Sequence, residues 1–210
     1  MRCTFFTLAI LGAVAAAAVP VVATDITLGE QDFQDGDFLT SASSYNAAQA
    51  GEPSPFNSFR GSDGGSNATA DITFTGLSPS TSASITIGFA DHDSQASGSQ
   101  VESFSVDGVD LTALLDAEFE SRGGAQAEYN VYTVILPALA VAELADGSAT
   151  FSIELDGPGL LQGANGQEET PNNGAGFDFA TLSFAAIPEP AIATGLLAMG
   201  GLVLSRRRRD

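Results

Sequence analysis

Apolar and polar residues alternate through most of the middle of the chain. In the segment ADITFTG, Ile72 and Phe74 fall on one face, and SATFSIEL places Phe151, Ile153 and Leu155 together in the same way. Similar segments recur, separated by clusters of Gly, Asp, Asn, Ser and Pro; they read SASITIGFAD, VESFSVDG, EYNVYTVIL and GFDFATLSF. Strands of this length between turn-forming clusters are typical of an all-β fold. We therefore predict a single β-sandwich of jelly-roll-like form over residues 24–185.

Two details refine this prediction. EYNVYTVIL is apolar on both faces near its end, which indicates a central strand. Helical periodicity is confined to LTALLDAEF and PALAVAELADG, each of which predicts a short helix, the second ended by Gly147.

The amino-terminal segment has the three regions of a secretory signal peptide. A single positive charge at Arg2 precedes an apolar run over residues 4–18, and small residues follow, ending at Ala23. The apolar run is short for a retained membrane anchor. We expect export through the Sec machinery and cleavage after Ala23, so that residues 1–23 form the signal peptide.

The carboxyl-terminal segment, residues 186–210, combines three features in order. Pro188, Glu189 and Pro190 precede an apolar run over residues 191–205, and the run is followed by Arg206, Arg207, Arg208 and Arg209. The run alone is short for a bilayer helix, and it reaches the lower end of the usual about 17 to 25 residues only if Ile187 and the prolines are counted. Clustered arginines beside a span stay on the cytoplasmic side. The tail is thus predicted to be a transmembrane helix that stops transfer and leaves the preceding residues outside.

These three features resemble the PEP-CTERM sorting signal of exported bacterial proteins. The resemblance implies that the membrane-embedded transpeptidase exosortase is a partner, and that it recognises the tripeptide at residues 188–190. The flanking prolines hold Glu189 outside helical geometry, which suits the needs of a processing enzyme. We expect transient anchoring in the inner membrane, followed by transfer to the cell surface or extracellular matrix.

Charge is divided sharply between the ends and the middle. Residues 24–185 carry 24 acidic residues against only Arg60 and Arg122, a formal charge of −22. Such a surface repels phosphate backbones and anionic lipids, so nucleic-acid binding is excluded as a function. Cations and neutral polymers, including extracellular polysaccharide, are the partners that this charge permits.

In the last predicted strand, Asp178 is in phase with Ala180, Leu182 and Phe184 and is expected to point into the core. A buried carboxylate needs a partner. The arrangement resembles carbohydrate-binding modules of the jelly-roll class. That resemblance implies a structural calcium ion held by an aspartate of the closing strand near the first strand, where TLGEQDFQDGDF offers Glu30 and Asp32. A carboxylate hydrogen-bonded to backbone at a sheet end is the alternative for Asp178.

The segment DHDSQASGSQVE offers a second calcium candidate. Asp91, Asp93 and Glu102 have calcium-loop spacing, but Ala96 stands where that loop needs glycine, so only Asp91 and Asp93 are retained as candidate ligands. His92 is the sole histidine, and without a second imidazole or a thiolate beside it we expect it to be solvated in a loop.

Three functions remain open at this point. The first is a non-catalytic protein of the cell envelope or extracellular matrix. The second is a secreted carbohydrate-binding module with a structural calcium site. The chain has no tryptophan, but a cluster of other aromatic rings at one edge of the sandwich could stack on sugars. The candidates are Tyr45, Tyr129, Tyr132, Phe56 and Phe59. The third is a glycosidase that uses two carboxylates. No nucleophile motif supports catalysis, so we predict that the protein is not an enzyme.

Overall fold

Eight β-strands and three short α-helices make up the part of the chain that the structure describes. The structure is a computed structural model, and it describes residues 23–39, 42–61, 67–90, 92, 101–122, 128–155 and 175–187. The strands are β1 Ala23–Gly29, β2 Ala68–Thr75, β3 Ser80–Ala90, β4 Val101–Val106, β5 Val109–Asp110, β6 Tyr129–Ile135, β7 Ser148–Leu155 and β8 Gly176–Ala186. The helices are α1 Ala42–Ala48, α2 Thr112–Arg122 and α3 Ala138–Glu143, the last continued by a 3-10 turn at Leu144–Asp146.

The strands form two antiparallel sheets of four strands each. Sheet 1 has the order β1-β8-β3-β6, and sheet 2 has the order β2-β7-β4-β5. The chain changes sheet at every connection except that from β4 to β5, so the other neighbours in each sheet are distant in sequence. The all-β sandwich predicted from the alternating segments is confirmed.

The core lies between the two sheets and is made by the inward residues of every long strand. Burial alternates strictly along β2, where Ile72 and Phe74 are buried. Phe74 packs edge-on against Phe151 of β7, with ring centroids 5.8 Å apart. Ile85 and Leu182 of sheet 1 belong to the same apolar cluster. Burial of this apolar surface contributes most of the free energy that holds the two sheets together.

The helices α2 and α3 pack against this core. Leu115 and Phe119, one helical turn apart on α2, are both buried against it. The Asp110 carboxylate accepts a hydrogen bond of 2.9 Å from the Thr112 backbone N–H and so caps the start of α2. After α3, Gly147 adopts a φ of 98°, the left-handed conformation that glycine tolerates at a helix end. Both helices predicted from periodicity are therefore present.

Two predictions from the sequence were wrong or incomplete. The strand β6 is at the edge of sheet 1 and is not central. Its apolar side chains lie on both faces of the sheet. Tyr132 packs in the core, Tyr129 packs on the outer face, and Ile135 is 77% exposed. The short elements β1 and α1 were not predicted as separate elements, because neither has a long periodic pattern.

A second apolar cluster lies on the outer face of sheet 1. We call it the outer cluster; its buried members are Leu39, Tyr45, Ala90, Tyr129 and Phe179. Gly88 and Gly176 leave room for the two tyrosines, because a Cβ at Gly88 would overlap with the Tyr129 ring and one at Gly176 with the Tyr45 ring. The segment around α1 therefore packs against the sheet.

Both chain ends lie outside this description. Residues 1–22 and 188–210, which hold most of the predicted signal peptide and the predicted sorting signal, are outside the described residues. Ala23, the predicted cleavage position, is the first residue of β1 and pairs with Ala185. Within the described part of the chain, no helix has the length and apolar character needed to cross a membrane.

Candidate functional site

Asp178 is fully buried, but on the opposite face of sheet 1 from the one that the sequence predicted. The register between β3 and β8 shifts between Ile87 and Phe89, so that Ile87 pairs with Ala180 and Phe89 pairs with Phe177. The extra residue of this β-bulge breaks the alternation that would have placed Asp178 in phase with Ala180. As a result, the side chain of Asp178 meets the outer cluster and not the sandwich core.

Three donors hold the Asp178 carboxylate. The Tyr129 hydroxyl donates to Oδ2 at 2.6 Å, and the Gln49 side-chain amide donates to Oδ1 at 2.5 Å. The backbone N–H of Asp32 also points to Oδ1, at the longer distance of 3.4 Å. These bonds join β8, β6, the turn after α1 and the segment that follows β1 at one point. Asp178 is therefore a junction between the sheet and the segments that cover its outer face.

Burial dominates the electrostatics of this junction. Loss of water contacts raises the pKa of Asp178, and the hydrogen bonds from Tyr129 and Gln49 oppose that change without cancelling it. Burial likewise raises the pKa of the Tyr129 hydroxyl, and the bond to Asp178 adds to the effect because it stabilises the protonated phenol. The phenol therefore stays a hydrogen-bond donor throughout the physiological pH range.

Three further carboxylates lie near Asp178 around a cleft. The cleft has a volume of about 470 Å³, and Glu30, Asp32 and Glu52 are among its lining residues. The Glu52 carboxylate accepts a bond of 3.2 Å from the Glu30 backbone N–H. Burial raises the pKa of Glu52, and the charges of Asp32, Asp178 and Glu30 raise it further. Glu30 and Asp32 thus line the same cleft, the backbone N–H of Asp32 reaches Asp178, and Glu52, which the sequence did not single out, lies beside them.

The residues around Asp178 do not fit a calcium ion in the arrangement observed. Both oxygens of Asp178 already accept hydrogen bonds from N–H or O–H groups. The Gln49 amide nitrogen lies between Asp178 Oδ1 and Asp32 Oδ2, 3.2 Å from the latter, where a shared cation would have to bind. Among the described residues, no three Asp, Glu, His or Cys side chains are grouped so that they could hold a metal ion. Asp91 and Asp93, the second calcium candidate, lie outside the described residues.

The aromatic platform that the sequence suggested for sugar binding is not formed. Tyr45, Tyr129, Tyr132 and Phe56 are each at most 2% exposed, so none of these rings can stack on a ligand. Tyr45 is instead enclosed between Phe33, stacked at 5.5 Å, and Phe59, edge-on at 4.9 Å. Tyr45, Tyr129 and Phe59 belong to the packing of the outer cluster, whereas Tyr132 and Phe56 belong to the core.

His92 is buried, contrary to the solvated loop position that we expected. Its Nε2 lies 3.0 Å from the Tyr132 hydroxyl and 3.1 Å from Asn130 Oδ1, and its ring packs on Phe119 at 4.4 Å. The sequence offered no signal for this burial, because the partners come from β6 and α2. His92 has a structural position at the edge of the core.

A polar groove crosses the outer face of sheet 2 and was not anticipated from the sequence. It has a volume of about 360 Å³; its polar lining residues are Ser54, Arg60, Thr69, Asp71, Ser103, Ser152 and Glu154. The alternation of β2 and β7 does predict that Thr69, Asp71 and Glu154 point away from the core. Their convergence depends on strand register and on the loop that carries Arg60, which alternation does not reveal.

The comparisons with known proteins assign no family to the chain. No protein family profile matches it, and no curated protein matches it in sequence. Among solved structures, it is similar to the CBM35 from Cellvibrio japonicus Abf62, with a TM-score of 0.35 and 14% sequence identity, over 78% of this chain and 99% of that chain.

Proposed function

We propose that this protein is an exported, non-catalytic component of the cell envelope or extracellular matrix, sorted and processed by exosortase through its carboxyl-terminal signal. The observation that carries the proposal is the order of features in the tail. Pro188, Glu189 and Pro190, an apolar run and four arginines follow one another, in a chain that also begins with the pattern of a signal peptide.

The distribution of charge supports this topology. The four arginines favour the cytoplasmic side of the inner membrane, whereas residues 24–185, with a formal charge of −22, carry no cluster of basic residues that would hold them there. A strongly acidic surface also keeps an exported domain soluble and monomeric among anionic lipids. Export of the sandwich and retention of the tail follow from the same asymmetry.

The end of the sandwich supports processing at the tripeptide. The strand β8 ends at Ala186, and the backbone N–H of Ile187 donates a bond of 2.8 Å to the Pro79 carbonyl oxygen. Pro188 follows immediately and has no N–H with which to extend the ladder. The backbone hydrogen bonds that the structure describes therefore reach Ile187, and neither proline of the tripeptide has an N–H that could extend them.

The proposal is tested by changing Glu189 to alanine in a bacterium that has an exosortase. We expect the variant to accumulate as full-length protein in the inner membrane, while the wild type is shortened and released to the surface. The matched control is Glu143→Ala, which removes one exposed carboxylate from α3 and should leave processing unchanged. Normal shortening of the Glu189→Ala protein, or identical shortening in a strain without exosortase, would refute the proposal.

A further inference from the structure

We propose that the polar groove on sheet 2 binds a neutral polysaccharide, through hydrogen bonds from sugar hydroxyl groups to Asp71 and Glu154 and from Arg60 to sugar oxygens. This function goes beyond sorting and does not depend on it. The groove is a different surface from the buried Asp178 junction on sheet 1.

The floor of the groove is an ordered array of outward side chains. Strand register pairs Thr69 with Glu154 and Asp71 with Ser152 across β2 and β7. On the other side of β7, Ser103 of β4 pairs with Glu154. Rows two residues apart are about 7 Å apart, and three neighbouring strands span about 10 Å. The floor therefore presents hydroxyl and carboxylate groups over an area suited to a short stretch of a sugar chain.

The floor carboxylates are held in place before any ligand arrives. Ser152 Oγ donates to Asp71 Oδ1 at 2.6 Å, and Asn67 Nδ2 donates to Glu154 Oε1 at 2.8 Å. Each bond uses one acceptor site and leaves the carboxylate with further lone pairs for a ligand hydroxyl. Fixing the groups in advance lowers the entropy cost of binding.

Among the described residues that line the groove, Arg60 alone carries a positive charge. The Arg60 side chain is anchored through Nε to the Pro55 carbonyl oxygen at 3.2 Å and through Nη2 to Ser54 Oγ at 2.8 Å. A guanidinium group has five N–H donors, so donors remain beyond these two bonds. The backbone of Arg60 is itself tied to Ala175 by two hydrogen bonds of 2.9 Å, which fixes the wall relative to β8.

This combination of groups favours an uncharged, hydroxyl-rich ligand. An anion in the groove would be attracted by Arg60 but repelled by Asp71 and Glu154. The net negative charge of residues 24–185 would repel it further. A hydroxyl group, in contrast, can donate to a carboxylate and accept from a guanidinium group at once. The volume of the groove, about 360 Å³, is at the lower end of the range for ligand sites and suits a short stretch of a sugar chain.

The test is calorimetric titration of the purified full-length chain, in a detergent without a sugar head group, with soluble polysaccharides. The panel contains neutral polymers (mixed-linkage β-glucan, arabinoxylan, galactomannan and dextran) and the uronate polymers alginate and polygalacturonate. We expect a neutral polymer to bind and the uronates not to bind. Because the ligand is uncharged, an about tenfold rise in NaCl should change the affinity little.

Isosteric variants then locate the site. Asp71→Asn keeps a side-chain oxygen that can accept from Ser152, and Glu154→Gln keeps one that can accept from Asn67. Both variants lose the negative charge that strengthens a hydrogen bond from a sugar hydroxyl, so each should weaken binding about tenfold. Asp25→Asn removes the same charge from an exposed position of β1 on the other sheet and should leave binding unchanged. The far-ultraviolet circular dichroism of each variant reports whether it is folded.

Three results would overturn the proposal: no neutral polymer binds, uronates bind more tightly, or neutral binding survives in the folded Asp71→Asn/Glu154→Gln double variant. None of these results bears on exosortase processing, which is measured in cells by the length of the chain.

Discussion

The hydroxyl group of Tyr129 donates a hydrogen bond of 2.6 Å to Oδ2 of Asp178, and both residues are completely buried. The bond crosses from the edge strand β6 to β8, which is not its neighbour in sheet 1, and passes over Gly88 of the strand between them. A carboxylate removed from water keeps its charge only if donors replace the lost water. The stability of the outer cluster should therefore depend on this bond.

We predict that Tyr129→Phe lowers the free energy of unfolding by about 1.5 to 3 kcal/mol, the range for a lost hydrogen bond to a charged group. The ring and its packing are kept, so the loss reports the hydroxyl group. The measurement is urea denaturation of the full-length chain in detergent, followed by circular dichroism.

Tyr132→Phe is the matched control for this substitution. Its hydroxyl is also buried, and it lies 3.0 Å from the ring nitrogen of His92. The expected loss is about 0.5 to 1.5 kcal/mol, the range for an ordinary intramolecular hydrogen bond. If both substitutions cost the same, the charge of Asp178 is not what makes the Tyr129 bond important.

Asp178 should also make stability depend on pH. Because burial raises its pKa in the folded protein, the folded state binds the proton more tightly than the unfolded state does. Ionisation therefore costs stability; this cost is absent below the unfolded pKa of about 3.9 and grows as pH rises through the folded pKa. The wild type should gain stability relative to Asp178→Asn as pH falls from 7 towards 4. A difference that is constant, or that shrinks over this interval, would show that the pKa of Asp178 is not raised.

Asp178 also shows which features of this fold can be predicted from the sequence. Six strands and two helices were predicted because their side chains alternate or recur over whole elements, as in Ala68–Thr75 and Ser148–Leu155. The face that Asp178 occupies was predicted wrongly because a β-bulge is a property of paired strands: β8 carries one residue more than β3 between Phe177 and Ala180. No pattern within GFDFATLSF alone indicates that extra residue.

The edge position of β6 and the polar groove escaped prediction for a related reason. Two-sided apolar character normally indicates a central strand, but in β6 one face meets the core through Tyr132 and the other meets the outer cluster through Tyr129. The groove requires that Asp71 and Ser152 be paired and that Arg60 reach over them, and such non-local register cannot be read from one segment. Gln49, in the turn after the unpredicted helix α1, was not expected between Asp32 and Asp178.

The position of Gln49 leads to a prediction about calcium. In the wild type, the Gln49 amide already bridges Asp178 and Asp32, so calcium should not change the melting temperature. Gln49→Glu replaces that donor with a third carboxylate, which should destabilise the chain in EDTA and give it a calcium dependence. At about 100-fold excess over the Kd, bound calcium would restore about 2.7 kcal/mol.

The control for added negative charge is Gln31→Glu, an exposed position in the same segment after β1. It should show no calcium response in thermal unfolding with calcium chloride and with EDTA. If calcium raises the melting temperature of the wild type as much as that of Gln49→Glu, the native residues form a metal site after all, and the amide bridge is not the resting arrangement.

Close packing between Gly88 and Tyr129 gives a final, independent prediction. A Cβ added at Gly88 would overlap with the Tyr129 hydroxyl and lie 2.9 Å from Phe179 Cε1, so Gly88→Ala should destabilise the chain by about 1 to 3 kcal/mol through overpacking. Tyr129→Phe removes the hydroxyl that the new methyl group meets most closely. The double variant should therefore lose less free energy of unfolding than the sum of the losses in the two single variants. We expect a difference of at least about 0.5 kcal/mol, measured by urea denaturation. The control for this coupling is Ser84→Ala, on the outer face of the same strand and away from the outer cluster. Its loss should add to that of Tyr129→Phe without coupling. If the losses of Gly88→Ala and Tyr129→Phe are fully additive, the Tyr129 ring moves aside at no cost, and Gly88 does not fix its position over the sheet.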